Sequence, residues 1–135
     1  MSIPDSPGLY IVTLNNEEPI SVNAQDPRHA DRAIRVTRAN CKVGRAKSLA
    51  ARARNYQKTF GPENVNFYPF ALTVEIDAAE RAILSALHQY RVRGRRGHPN
   101  EWLENILATD ALSIAIRAVA SLGIAHELIS VELPQ

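Results

Sequence analysis

The sequence predicts an α/β (α+β) domain, a small sheet with antiparallel pairing packed by helices. Two observations carry that expectation. Short apolar runs of strand character recur at residues 9–14, 41–44 and 65–76, and stretches of helical period separate and follow them. A length of 135 residues with 45% hydrophobic and 22% charged content suits one soluble domain with a real core, and no linker or repeat divides it.

In chain order, Pro7 and Gly8 lead into "LYIVTL", a β-branched run that reads as a strand. Residues 15–40 are polar and without one clear period; within them "RHADRAIRVTRA" is compatible with a short arginine-bearing helix. "CKVG" reads as a second short strand closed by Gly44. Ser48 is a suitable N-cap for a helix reaching about Lys58, with Leu49, Ala53, Tyr56 and Phe60 as its apolar stripe. Arg52 borders that stripe, whereas Arg54 points to the opposite side. "FGPEN" is a turn, and "VNFYPFALTVEI" alternates Phe70, Leu72, Val74 and Ile76 as a strand does, with Pro69 suggesting an edge or a bulge. Asp77 starts a helix whose apolar side is Ile83, Leu84, Leu87 and Tyr90. "RVRGRRGHPN" reads as a basic loop. A helix is then expected from about Glu101, with a second cap at Asp110, ending before Gly123, and "HELISVEL" as a last strand.

Several function classes are disfavoured at once. The single cysteine, Cys41, precludes an internal disulfide and any cysteine-rich zinc site. The N-terminus lacks a signal-peptide pattern and no apolar run is long enough to span a bilayer, so a cytoplasmic protein is the default expectation. The formal charge of +2 conceals a strong segregation. Fifteen of the 16 Lys and Arg lie between Arg28 and Arg96, where only Asp31, Glu63, Glu75, Asp77 and Glu80 oppose them. Such a block favours a polyanionic partner, although charged faces are often simply solvated.

Among residues that can carry chemistry, Glu80 has two readings. Asp77-Ala78-Ala79-Glu80 has the form of a capping box, in which Glu80 serves only the helix start. Alternatively Glu80 ligates Mg²⁺, which takes hard oxygen ligands and keeps several waters. His88 lies roughly 12 Å along the axis from Glu80 at 1.5 Å per residue, too far to share one metal. Tyr10 and Trp102 both have ordinary readings as buried core aromatics. No nucleophile elbow or phosphate-cradling P-loop is present.

Taken together, Gly8-Leu9-Tyr10, Lys42-Val43-Gly44, "GRAKSLAARARNY" and "AERAILSALHQY" resemble, in order and spacing, the GIY-YIG nuclease superfamily. Glu80, His88 and Glu101-Trp102 further resemble a phage-type branch, here with Lys42 in place of the second-motif tyrosine. The resemblance implies a three-stranded antiparallel sheet flanked by helices, with an insertion at about 15–40 and a C-terminal helical extension at about 104–135. It implies catalytic roles for Tyr10, Lys42, Arg52 and Glu80: Glu80 holding one Mg²⁺ (or Mn²⁺), Arg52 clamping the scissile phosphate, and Tyr10 orienting or deprotonating the attacking water. A tyrosine is a poor base at neutral pH unless nearby cations lower its pKa, and Lys42 is placed to supply one. Arg45, Lys47, Arg54, Arg91, Arg93, Arg95 and Arg96 are candidates for nucleic-acid contacts, and His88 and Asn100 are weaker site candidates. The second tyrosine is missing, and more than thirty residues separate Tyr10 from Gly44, far longer than the usual hairpin.

The expected function is therefore a metal-dependent endonuclease hydrolysing phosphodiester bonds, with DNA as the favoured substrate. An inactive nucleic-acid-binding module on the same fold is the alternative, and a domain meeting an acidic protein is a third. Convergence of Tyr10, Lys42, Arg52 and Glu80 on one cleft separates the first reading from the others.

Overall fold

The structure, a computed structural model, describes residues 3–21, 35–72, 75–93, 99–123 and 126–128. Its strands are β1 (Gly8–Leu14), β2 (Ile20–Ser21), β3 (Arg35–Val36), β4 (Cys41–Ala46), β5 (Val65–Leu72), β6 (Arg91–Arg93), β7 (Pro99–Leu103) and β8 (His126–Leu128). Its helices are α1 (Leu49–Phe60), α2 (Ile76–Ala86) and α3 (Ala108–Ser121). The main sheet has six strands in the order β6-β7-β4-β1-β5-β8, and every neighbouring pair is antiparallel.

The α+β class is as expected, but the sheet is not three-stranded. The expected strands form its centre: β1 runs between β4 and β5, with Tyr10 opposite Gly44 on one side and Pro69 on the other. Every residue of β1 is buried, because both edges are paired and both faces are covered. Leu9 and Ile11 join a core with Cys41, Val43, Phe70 and residues of α2 and α3. Tyr10, Val12 and Leu14 join a second core with Leu49 and Ala53 of α1, together with Phe67 and Trp102. The sheet thus carries α1 on one face and α2 with α3 on the other. Burial of each large aliphatic side chain in these cores contributes about 1.5–3 kcal/mol against full exposure.

The additional strands overturn several local expectations. Residues 99–103 form β7 rather than the start of a helix, pairing Lys42 with Trp102 and Cys41 with Leu103. "NEWLEN" has little intrinsic strand preference; its pairing to the open edge of β4 and burial of Trp102 decide its conformation. The last helix therefore begins at Ala108, past a left-handed Asn105. Arg91–Arg93, expected as loop, is strand β6. Within the 15–40 insertion, Arg35–Val36 is not helical but pairs with Ile20–Ser21 in a two-stranded ribbon. The segment 22–34 lies outside the described residues, as do 94–98 and 129–135. β5 ends at Leu72, and Ile76 opens α2 instead of extending the strand. Pro69 is not on an edge strand, but β8 pairs only with 70–72, so the proline sits just outside that ladder.

Two helix starts position the site. Ser48 caps α1 as expected, its hydroxyl accepting from the Ala51 amide, a contact worth about 1 kcal/mol. Asp77, by contrast, is not an N-cap. That position belongs to Glu75, in a left-handed conformation (φ 61°), and the Ala79 amide donates to the Glu75 carbonyl at 3.0 Å. The capping-box reading of Asp77 and Glu80 therefore fails: Asp77 is already inside the first turn of α2.

Candidate active site

Gly44 lies within β4, not at its end, and its role is steric. A Cβ placed there would meet Tyr10 Cζ and Oη at 2.4 Å. Only a residue without a side chain lets the Tyr10 ring lie across the strand. That ring is fully buried and stacks on Phe67 with centroids 4.7 Å apart.

Strand alternation puts Lys42 on the same face as Gly44, and helical spacing puts Arg52 and Tyr56 on one strip of α1. The four polar groups meet. The Tyr10 and Tyr56 hydroxyls share a hydrogen bond of 3.0 Å. Lys42 Nζ donates to Tyr56 Oη at 2.9 Å, and Arg52 Nη1 donates to Tyr10 Oη at 3.3 Å. Each hydroxyl oxygen thus accepts from one cation, and one hydroxyl hydrogen bridges the pair.

Burial pushes the Tyr10 hydroxyl well above the ordinary tyrosine range; Lys42 and Arg52 pull it down, but desolvation outweighs them. Lys42 therefore acts on Tyr10 in the expected direction without freeing its proton at neutral pH. The linkage sign follows. An unfolded Tyr10 loses its proton near pH 10 while the folded one retains it, so stability is full below about pH 10 and falls as pH rises further. Tyr68, also raised by burial, adds in the same direction, and Cys41, pushed up to about 12 by burial, begins to contribute at lower pH. Thermal melts from pH 8 to 11 should show a decline that is shallower in Tyr10→Phe than in wild type; identical slopes would contradict the burial argument.

Two clefts open beside this cluster. One, of about 590 Å³, lies between the start of α1 and the start of α2 and is lined by Arg45, Lys47, Ser48, Arg52, Asn55 and Asp77 among others. A smaller one, of about 310 Å³, is lined by Arg52, Asn55, Tyr56, Thr59 and Phe60. Arg52 and Asn55 line both. Another cleft, of about 680 Å³, lies elsewhere, around Tyr90, Leu107, Asp110 and Arg117, and holds none of these groups.

Glu80 lies on the α2 side of the sheet. Its side chain is 14% exposed, and its Oε1 is 3.6 Å from Arg45 Nε. Arg45 Nη1 also contacts the Asp77 carboxylate. The expected convergence of Tyr10, Lys42, Arg52 and Glu80 on one cleft is therefore not found: Arg52 lines both clefts, Tyr10 and Lys42 line neither, and Glu80 reaches the larger one only through its contact with Arg45. No group of three or more His, Cys, Asp or Glu forms a metal cage among the described residues. Two hard carboxylates one helical turn apart, already enclosing a cation, suit Mg²⁺, which is held by one or two carboxylates plus waters and substrate phosphate.

Of the other expected residues, Lys47 and Arg54 are exposed, Arg91 is half-buried at the start of β6, and His88 is exposed in a 3₁₀ turn after α2. The side chains of Arg93 and Asn100, and all of Arg95 and Arg96, lie outside the described residues. Tyr56, Asn55 and Asp77 were not anticipated as site residues. For Tyr56 a signal existed: it falls four residues after Arg52, on the same helical strip.

Comparison with family models relates the domain to the GIY-YIG nuclease fold. The model of the T5orf172 domain family matches residues 10–120, and the chain belongs to that family. No specific branch is distinguished by this match, and no curated protein or solved structure matches the chain. No helix among the described residues is long and apolar enough to cross a membrane.

Proposed function

We propose that the domain is a divalent-metal-dependent endonuclease acting on DNA phosphodiesters. The observation that carries this reading is the position of Arg52, which lines two clefts while its guanidinium is held against buried Tyr10 in the Tyr10–Tyr56–Lys42 cluster. A cation fixed in this way costs little reorganisation when charge develops on a phosphate. Glu80, aided by Asp77, would hold Mg²⁺ or Mn²⁺, which when bound supplies Lewis acidity and steadies the departing 3′ oxygen.

The chain's own residues divide the remaining work. Arg52 binds a non-bridging phosphate oxygen. Tyr56, which lines the smaller cleft, orients the attacking water by accepting a hydrogen bond at Oη. Tyr10 is a positioning residue: fully buried, it keeps its proton and holds Tyr56 and Arg52 in register. Lys42 steadies charge that gathers on Tyr56 Oη. Lys47 and Arg54 contribute backbone phosphate contacts that weaken with salt.

A second reading, a nucleic-acid-binding module without turnover, is favoured by one observation: both α2 carboxylates engage Arg45. A plasmid-nicking assay with and without Mg²⁺ separates the two. Wild type is expected to nick only with metal, and Glu80→Ala to lose that activity by at least about 10²-fold. Retained cutting in Glu80→Ala would end this mechanism, and tight binding with no cutting by wild type would leave the second reading.

A further inference from the structure

We propose that Arg45 is a resident counter-cation of the Glu80–Asp77 pair: it competes with the divalent metal in the free protein and is drawn off by substrate phosphate. This rests on the metal-ligand reading of Glu80. Arg45 thereby couples metal binding to nucleic-acid binding.

Strand parity places it there. Cys41 and Val43 of β4 enter the core beneath α2 and α3, so Arg45, next in that alternation, emerges under the first turn of α2. Asp77 and Glu80, three residues apart, share one face of that helix. The planar guanidinium presents several donors in a fork and serves both carboxylates, Nη1 to Asp77 and Nε to Glu80. Their exposures explain why it stays. Glu80 is only 14% exposed and has little water to satisfy its charge, whereas Arg45 is 53% exposed and free to turn outward. A hard cation seeking the Glu80 oxygens therefore meets a position already filled by another cation.

The same arginine lines the cleft that Arg52 and Lys47 line. A phosphodiester entering that cleft offers Arg45 new anionic oxygens and loosens its hold on the carboxylates. Metal then neutralises the acids that Arg45 has left. Because coupling is reciprocal, metal must tighten nucleic-acid binding by the factor that nucleic acid tightens metal binding. The resting protein would then hold metal weakly until substrate is bound.

Mn²⁺ binding followed by electron paramagnetic resonance of the free ion tests the competition without turnover. Arg45→Gln should bind Mn²⁺ about five-fold more tightly than wild type, the order expected when a partly exposed ion pair no longer has to be broken. Arg45→Lys, which keeps the charge but not the fork, should fall between them. Lys58→Gln, an equal change of net charge on the exposed end of α1, should leave Mn²⁺ affinity unchanged. The coupling is read by fluorescence anisotropy of a labelled DNA duplex at constant ionic strength. Ca²⁺, which takes the same oxygen ligands, should tighten duplex binding in wild type and do so less in Arg45→Gln. Glu80-dependent Mn²⁺ binding that Arg45→Gln leaves unchanged or weakens would overturn the role of Arg45 alone. Mn²⁺ binding that is the same in wild type and Glu80→Ala would overturn the metal-site reading and this inference together.

Discussion

Arg52→Ala is expected to lower Mg²⁺-dependent nicking by about 10²–10³-fold, the usual cost of removing one preorganised group that stabilises transition-state charge. The size of the effect follows from how the side chain is held. Arg52 is half-buried, its Nη1 bonds a fully buried tyrosine, and the residue lines two clefts. Little side-chain entropy remains to be lost when a phosphate binds, so most of the interaction is available to the reaction. Arg52→Lys should recover little, because an ammonium cannot bond Tyr10 and phosphate together as a fork does. Arg54→Ala, two residues on and exposed, should change duplex affinity modestly and leave the turnover of bound substrate intact. The measurements are nicking time courses at saturating enzyme, with thermal melts to confirm folding. An Arg52→Ala protein that is folded and within about three-fold of wild type would remove Arg52 from the transition state.

That contrast between neighbouring arginines was legible in the sequence, because helical period alone separates the border of the Leu49–Ala53–Tyr56 stripe from the opposite side of α1. The Ser48 cap and the buried β1 were legible for the same kind of reason: each depends on residues close in sequence. β7 was not. Pro99–Leu103 becomes a strand because β4 offers an unpaired edge nearly sixty residues earlier in the chain, and no local propensity encodes that. Tyr56 was visible as an apolar residue of the stripe, but its hydroxyl acquires meaning only once β1 and β4 bring Tyr10 and Lys42 beneath it. Arg45 is the clearest case of charge misread by composition. In the sequence it is one cation of a basic block; in the fold it is matched to Asp77 and Glu80, as Arg38 is to Glu17. Part of the apparent excess is thus internally paired, and the cations facing the clefts are fewer than the block suggests.

Gly44→Ala should be a damaging change for a single methyl, costing about 1–3 kcal/mol of stability as overpacking in a core does, and disabling the site as well. The added Cβ would sit 2.4 Å from both Tyr10 Cζ and Tyr10 Oη. Tyr10 has nowhere to retreat: it is 0% exposed, stacked on Phe67 and edge-on to Tyr56. Any displacement of the ring also carries its hydroxyl away from Tyr56 and Arg52, so the phosphate clamp loses its support. The explanation makes a specific claim about non-additivity. Tyr10→Phe keeps Cζ and should not relieve the crowding, whereas Tyr10→Leu removes both offending atoms. Chemical denaturation of the double-mutant cycle should therefore show Gly44→Ala costing clearly less in the Tyr10→Leu background than in wild type, with a coupling above about 0.5 kcal/mol. If Gly44→Ala costs the same in both backgrounds, the close approach of Tyr10 is not what requires a glycine at this position.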